Sequence, residues 1–331
     1  MTGYIIQRLF YAIITFWVLS IVVFIVIQLP PGDFLTSYIQ ALQETGGVVD
    51  QAEIAALRQQ YGLDAGPIEQ YVRWFGKFLR GDMGRSFEWN QPVVALLQER
   101  LPYTILLSML TLFFTYIVAV PIGIYVATRQ YSFSDYLFTF VGLAGLATPN
   151  FLLALILMFL FFKYFGVSVG GLFSAEYALA PWSLAKLWDM IKHLWVPIIV
   201  IGTSGTAGII RVMRGTLLDE LGRQYVITAR AKGVPEGKLL FKYPVRVAIN
   251  PIVSTIGWQL PRIVSGETIV AIVLSLPTTG PLLFRSLLSQ DMFMAGSIVM
   301  MLGILTLIGT FLSDILLVIV DPRIRYERKS Q

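Results

Sequence analysis

The residues best suited to specific intermolecular contacts lie in one basic stretch, 223–246, which reads RQYVITARAKGVPEGKLLFKYPVR. Gly233 interrupts it, and residues 224–232 before the glycine are predicted to form a short helix. Pro235 suits the first position of a second helix, where its missing N–H costs nothing. Glu236 then lies in the first turn, where a negative charge favours the helix dipole. The stretch is therefore predicted to fold as a helix–glycine–helix hairpin.

The second predicted helix has two contrasting faces. Basic side chains recur every four residues, and apolar side chains recur at the same interval on an adjacent face: Lys238, Lys242 and Arg246, then Leu239, Tyr243 and Val247. A surface of this kind indicates docking on a partner. The alternative is a cytoplasmic loop that is basic because of the positive-inside rule and contacts anionic lipid. The pattern alone favours neither interpretation.

Motifs for catalysis were not found. The chain has no cysteine, which excludes disulfides and thiolate chemistry. The phosphate-loop, zinc-protease and nucleophile-elbow patterns are absent, so we expect no ATP hydrolysis by this chain and predict no catalytic, metal or cofactor residues. The single histidine, His193, precedes an apolar run and is expected to be an interfacial residue.

Three ionisable residues are predicted at membrane depth: Arg262, Glu267 and Asp314. Such groups are expensive in a membrane and usually face a bundle interior or a water path. Each is a candidate for a polar bond between helices or for the lining of a translocation path.

The composition indicates an all-α integral membrane protein. The 331 residues are 56% hydrophobic and 14% charged, against roughly 25% charged in soluble domains. Apolar stretches near the 20 residues that a spanning helix needs predict six transmembrane helices, at 9–29, 103–127, 136–165, 194–214, 248–275 and 292–320. The first is too long for a signal peptide and lacks a cleavage site, so we expect it to be retained.

Several features within these segments predict local structure. Pro121, Pro149 and Pro197 lie inside predicted spans, which transmembrane helices tolerate. The run of small residues at 202–208 predicts close approach by a neighbouring helix.

The block at 30–102 is the soluble-looking part of the chain. Asp50 is suited to cap one helix, and Pro67 to start another that ends at Gly81. The second helix would pack its apolar side inward rather than contact a ligand; that side carries Tyr71, Trp74, Phe75 and Phe78.

The distribution of Lys and Arg predicts that both termini are cytoplasmic. Three parts follow: the N-terminus and first helix at 1–29, a small helical extracytoplasmic segment at 30–102, and a five-helix core at 103–331. The core contains a cytoplasmic loop at 215–247, which includes the predicted hairpin.

Ordered motifs along nearly the whole chain carry a resemblance. They are YIIQRL near the N-terminus, PPGD after the first helix, YGLD at 61–64, GDMGRSF at 81–87, ERLP at 99–102, TPNF at 148–151, YVITARAKG at 225–233, ET at 267–268 and DPRIR at 321–325. Together they resemble permease subunits of binding-protein-dependent ABC importers. The closer likeness is to the B-type subunit of the dipeptide/oligopeptide/nickel family.

The resemblance implies a type I ABC importer permease fold in the inner (plasma) membrane of a prokaryote. Expected partners are a second, homologous permease forming a heterodimer, two cytoplasmic ATPase subunits that use ATP and Mg, an extracytoplasmic solute-binding protein and the lipid bilayer. No nucleic acid is expected. The resemblance assigns contact with the ATPase subunits to Tyr225, Thr228, Ala229, Arg230, Ala231, Lys232, Gly233, Pro235, Lys238, Lys242, Tyr243 and Arg246.

One departure and several alternatives stay open. In the wider importer class this loop begins Glu-Ala-Ala and ends in Gly after three variable residues, whereas Ile227, Thr228 and Ala229 stand here before Gly233. Peptides are the expected solutes, with oligosaccharides, opines or nickel chelates as alternatives. A secondary transporter is a less favoured alternative because no internal repeat is seen. A membrane enzyme is disfavoured by the missing catalytic sets.

Overall fold

The computed structural model describes residues 2–29 and 65–320, and every regular element in these ranges is a helix. The helices are α1 Thr2–Gln28, α2 Pro67–Leu79, α3 Val93–Thr128, α4 Phe133–Ala147, α5 Asn150–Phe165, α6 Ala175–Ala178, α7 Leu184–Leu221, α8 Gln224–Ala231, α9 Glu236–Lys242, α10 Pro244–Ala248, α11 Asn250–Val273, α12 Thr279–Leu288 and α13 Met292–Val320.

Four of the described helices, α1, α3, α7 and α13, are long and apolar enough to cross a membrane. The pair α4 and α5 provides a fifth span if its two bent halves count as one. The predicted all-α membrane architecture is confirmed. The count of six spans stays a prediction; its fifth member, 248–275, corresponds to the 24-residue helix α11.

The predicted single helix at 136–165 is wrong, because α4 and α5 meet at a bend of 101°. Thr148 has an extended backbone (φ −86°, ψ 122°), which the following Pro149 favours over the helical conformation. The Thr148 amide and hydroxyl both donate to the carbonyl oxygen of Ala144, at 3.0 and 2.8 Å, and thereby close the end of α4. Pro121 and Pro197, by contrast, lie within continuous helices.

The described residues group into two compact units. One contains the residues up to 104 together with 278–307, and the other contains 105–277 together with those from 308 onward. The three-part organisation predicted from the sequence stays a prediction. The predicted helix capped by Asp50 lies outside the described residues.

In the first unit, α2 packs its aromatic side against α1. Trp74 and Phe78 are buried in a cluster with Phe24. The ring of Tyr71 lies edge-on to Phe24 with centroids 5.4 Å apart, and its hydroxyl is 2.8 Å from the hydroxyl of Ser20. The predicted inward packing of this helix is confirmed.

A buried carboxylate organises the loop before α3. Asp291 is fully buried and accepts hydrogen bonds from the hydroxyl of Ser86 and from the amides of Phe87 and Glu88. It also accepts from the Met294 amide at 3.1 Å, which caps α13. Asp291 therefore joins the loop at 86–88 to the start of the last helix.

In the second unit, α7 is approached closely by two helices where its small residues lie. A Cβ atom on Gly202 would stand 2.8 Å from the Phe114 ring of α3, and one on Gly145 of α4 would stand 2.9 Å from Thr203. The close approach predicted for 202–208 is confirmed, and it involves two neighbours rather than one.

The segment between α5 and α7 folds onto the start of α7. The buried ammonium of Lys186 donates to the carbonyl oxygen of Ala180 at 2.6 Å and lies 4.8 Å from the Phe173 ring centroid. Asp189 accepts from the amide and hydroxyl of Ser174. His193 Nδ1 lies 2.8 Å from the Asp189 carbonyl oxygen, and the described residues contain no cluster of acidic and histidine side chains arranged around a metal.

Candidate functional site

The predicted turn at Gly233 is a Schellman motif that ends α8. Gly233 has φ +76°, a left-handed conformation that glycine adopts at little cost. The Gly233 amide donates to the Arg230 carbonyl at 3.0 Å, and the Val234 amide donates to the Ala229 carbonyl at 3.3 Å. Val234 also packs against the apolar cluster that contains Ala229, in keeping with the apolar contact that accompanies this motif. The helix–glycine–helix prediction is confirmed at this point of the chain.

The hairpin has its own small core. Val226 and Ala229 of α8 and Leu239 of α9 are buried together, and Val234 and Tyr243 pack against them. Ala229 and Tyr243 were both predicted to contact a partner, but they lie in or against this core. Their contribution to docking would be to hold the hairpin in shape.

The second helix is shorter than predicted, because α9 ends at Lys242 and α10 begins at Pro244. Tyr243, between them, has φ −115° and ψ −80°, which lies outside the helical region. A residue that precedes proline avoids that region for steric reasons. The predicted single face of Lys238, Lys242 and Arg246 is therefore wrong: Arg246 lies on α10. The predicted apolar face is also divided, and Val247 is exposed on α10.

The third short helix fastens the hairpin to the long helix α7. Val245 and Ala248 of α10 are buried against Met213 and Leu217 of α7, and Leu240 of α9 packs against the same cluster. The Thr216 hydroxyl, which belongs to α7, lies 3.1 Å from the Ala248 carbonyl oxygen. The hairpin is therefore fixed to the end of α7.

Two hydrogen-bonded contacts, each with a carboxylate, hold the hairpin: one lies across its turn and the other at its base. Arg230 binds Glu236 through two hydrogen bonds, Nε to Oε1 at 2.6 Å and Nη2 to Oε2 at 3.1 Å. The bond from Arg230 holds the pKa of Glu236 below its ordinary value. The Tyr225 hydroxyl donates to the Glu220 carboxylate at the end of α7. Burial, followed by this carboxylate, raises the pKa of Tyr225 to about 12.

The outer surface of the hairpin combines cations with apolar side chains. Lys232, Lys238 and Arg246 are exposed and have no hydrogen bond or ion pair with any described residue. Ile227 is 46% exposed and Phe241 is 63% exposed on the same hairpin. Our site prediction missed these two. Phe241 does not belong to the predicted apolar face of Leu239 and Tyr243. An aromatic residue outside that face was the sequence feature that could have identified it as exposed.

The remaining predicted residues are dispersed. Thr228 is exposed and its hydroxyl donates to the Gln224 carbonyl at 2.8 Å. Ala231 ends α8, Pro235 is the N-cap of α9, and Lys242 lies 5.5 Å from the Tyr243 ring centroid. Asp314 lies half-buried in α13. The side chains of Arg262 and Glu267 lie outside the described residues.

Comparison with known proteins covers nearly the whole chain. Residues 119–326 match the family described as "binding-protein-dependent transport system inner membrane component", and residues 1–108 match the N-terminal part of such membrane components. The chain is 32% identical over 328 residues to the oligopeptide transport system permease protein AppB of Bacillus subtilis, covering 98% of this chain and 100% of that protein.

Two further relatives are similar in extent. A putative peptide permease protein of Brucella ovis is 32% identical over 327 residues, covering 98% of this chain and 99% of that protein. A probable peptide ABC transporter permease protein of Sinorhizobium fredii, y4tP, is 29% identical over 324 residues, with the same coverage.

Proposed function

The chain belongs to the family of inner membrane components of binding-protein-dependent transport systems, and we propose that the solute it carries is a peptide. It is a permease subunit of an ABC importer. The observation that supports peptides is the end-to-end similarity, over 98% of the chain, to relatives named as oligopeptide and peptide permeases.

The proposed coupling element is the hairpin formed by α8, α9 and α10. Its own core and Schellman turn keep its shape, and its exposed Ile227, Phe241 and lysines suit a groove with apolar walls and acidic edges on an ATPase subunit. Because α10 is buried against α7, movement of the hairpin would reach a spanning helix. ATP binding by the partner would then change the contacts that it makes with the hairpin. That change would shift the permease between outward-open and inward-open states.

The proposed complex contains a second, homologous permease, two ATPase subunits that bind ATP and Mg, and a solute-binding protein outside. Both termini of this chain and the hairpin would lie in the cytoplasm. This chain supplies no nucleotide site in the proposal.

The test is transport by the complete complex in proteoliposomes. The binding protein is loaded with a labelled tripeptide, and uptake is measured with ATP and with a non-hydrolysable analogue. Uptake that requires both ATP hydrolysis and the binding protein supports the proposal. Uptake of an oligosaccharide, an opine or a nickel chelate in place of any peptide would overturn the assignment of the solute, and uptake without ATPase subunits would overturn the coupling.

A further inference from the structure

A cavity of about 210 Å³ lies within the second unit, between helices α3, α5, α7 and α11. Each helix contributes one neutral polar side chain to its lining: Thr115, Asn150, Ser204 and Gln259. The other lining residues are aliphatic or glycine, and none of the described lining residues is charged. Thr115 and Ser204 lie near the middle of long apolar helices, at a depth where polar groups are costly.

These four side chains form no hydrogen bond with any described residue. Thr115 is only 2% exposed and Gln259 only 7% exposed. Some hydroxyl groups of the described residues donate within their own helix, as Thr216 does to the Val212 carbonyl at 2.9 Å, whereas others, such as those of Thr111 and Thr206, are also buried without a partner. A buried polar group without a partner is expensive, which applies to Thr115 and Gln259. Asn150 and Ser204 are half-buried and line the same cavity.

The polar atoms face a common space at Gly205. A Cβ atom added there would lie 3.7 Å from Thr115 Oγ1 and 3.8 Å from Gln259 Nε2. The absence of a side chain on Gly205 therefore keeps both groups accessible from the cavity. The bend at Pro149 ends α4 and begins α5 at Asn150, and so brings a third polar side chain to the same cavity. Irregular backbone at membrane depth is tolerated where it lines such a space.

The chemistry of the lining is that of a neutral amide receptor. Threonine and serine hydroxyls donate and accept, and the asparagine and glutamine amides supply both N–H donors and a carbonyl acceptor. A peptide bond presents one N–H and one C=O, so the four groups match the backbone of a peptide. Because the lining carries no charge, it does not select peptides by the charge of their side chains.

We propose that this cavity is a transient binding site on the translocation path, where it binds the backbone amide groups of the peptide. The inference rests on the proposed peptide transport. The volume suffices for about seven water molecules at ~30 Å³ each, and water satisfies the four groups between transport events. The passing peptide replaces that water with its own donors and acceptors. Recognition of the backbone alone would allow one path to accept peptides of different sequence.

The test uses a matched pair of substitutions in the complete complex. Thr115→Val removes a cavity hydroxyl at nearly constant volume. Thr255→Val is the control, because the Thr255 hydroxyl lies outside the cavity lining and is paired with the Tyr116 hydroxyl at 2.7 Å. Gln259→Leu is the stronger cavity variant. Uptake is measured for trialanine and for trialanine with an N-methylated central peptide bond, each at saturating binding protein.

The expected result is an interaction between variant and substrate. Thr115→Val and Gln259→Leu lower the maximal rate for trialanine about five- to tenfold, and have little effect on the rate for the methylated peptide. Thr255→Val leaves the ratio of the two rates at the wild-type value. Because the binding protein is the same throughout, its own preference cancels in these ratios.

Two results would overturn the inference. One is a Thr115→Val variant that behaves like Thr255→Val. The other is an equal slowing of both peptides, which would identify the cavity as a water-filled structural space. If Gln259→Leu fails to accumulate in the membrane, Thr115→Val decides alone. A wild-type complex that takes up neither peptide contradicts the proposed function itself, and the inference falls with it.

Discussion

At the scale of single residues, Gly233 is the position where one side chain matters most for the hairpin. Its φ of +76° places any β-branched residue under strain of roughly 1–3 kcal/mol. A Cβ atom there would meet nothing within 4 Å, so strain is the only cost. We predict that Gly233→Val accumulates normally in the membrane but loses solute-stimulated ATP hydrolysis and uptake together, or loses its ATPase subunits on purification.

Gly237 provides the matched control, because it lies inside α9 in equally open surroundings. Gly237→Ala should preserve transport and stabilise the helix by up to about 1 kcal/mol. Normal uptake and stimulated hydrolysis in Gly233→Val, with the ATPase subunits bound, would show that this hairpin does not couple the two activities.

Tyr225 gives the hairpin a pH dependence whose sign follows from its raised pKa of about 12. The unfolded side chain ionises near pH ~10, so the bond to Glu220 contributes fully below pH ~10 and is lost as pH rises towards 12. Because Tyr225 is 39% exposed, we expect a contribution below ~1 kcal/mol. The ultraviolet difference titration between wild type and Tyr225→Phe should have its midpoint near 12; a midpoint near ~10 would contradict the contact.

At the scale of elements, the hairpin separates docking from transmission. Phe241 is exposed on α9, whereas Leu217 of α7 is fully buried against α10. We predict that Phe241→Ala weakens binding of the ATPase subunits without affecting the fold. Leu217→Ala should cost about 2–5 kcal/mol and leave the docking surface in place, so the ATPases stay bound while stimulated hydrolysis falls. Co-purification and hydrolysis assays measure the two effects, and identical behaviour of both variants would contradict this division.

Close packing of α3 on α7 is a second property of the elements. A Cβ atom on Gly123 would lie 2.6 Å from Met213 Cβ, which cannot move without the backbone of α7. Gly123→Ala is expected to lower the free energy of unfolding by about 1–3 kcal/mol. Gly208→Ala, in α7 with nothing within 4 Å, is expected to raise it by up to ~1 kcal/mol. Thermal unfolding in detergent compares the two, and equal shifts would show that the helices are farther apart.

At the scale of the whole molecule, the orientation in the membrane is the property to test. The excess of Lys and Arg in the hairpin and the C-terminal segment predicts that both are cytoplasmic. A topology reporter fused after Gln331 or inserted in the hairpin should report the cytoplasm, and one near Gly47 should report the outside. A C-terminus found outside would exclude six spans with a cytoplasmic N-terminus.

Local patterns in the chain were sufficient for the membrane class, for the inward face of α2 and for the turn at Gly233. Each depends on residues within a few positions, such as an apolar run, an aromatic side at helical spacing or a glycine between two helices. They were insufficient at Pro244 and Pro149. Proline is compatible with continuous transmembrane helices, as at Pro197, so the pattern did not indicate which prolines would end a helix.

The tertiary structure alone revealed where distant residues meet. The burial of α10 against α7 and the gathering of Thr115, Asn150, Ser204 and Gln259 around one cavity join segments far apart in sequence. An apolar segment with scattered polar residues is predicted to span, but its pattern does not say which side chain faces lipid, another helix or a cavity. The packing of the helices decides this, because it determines which groups surround each polar side chain at membrane depth.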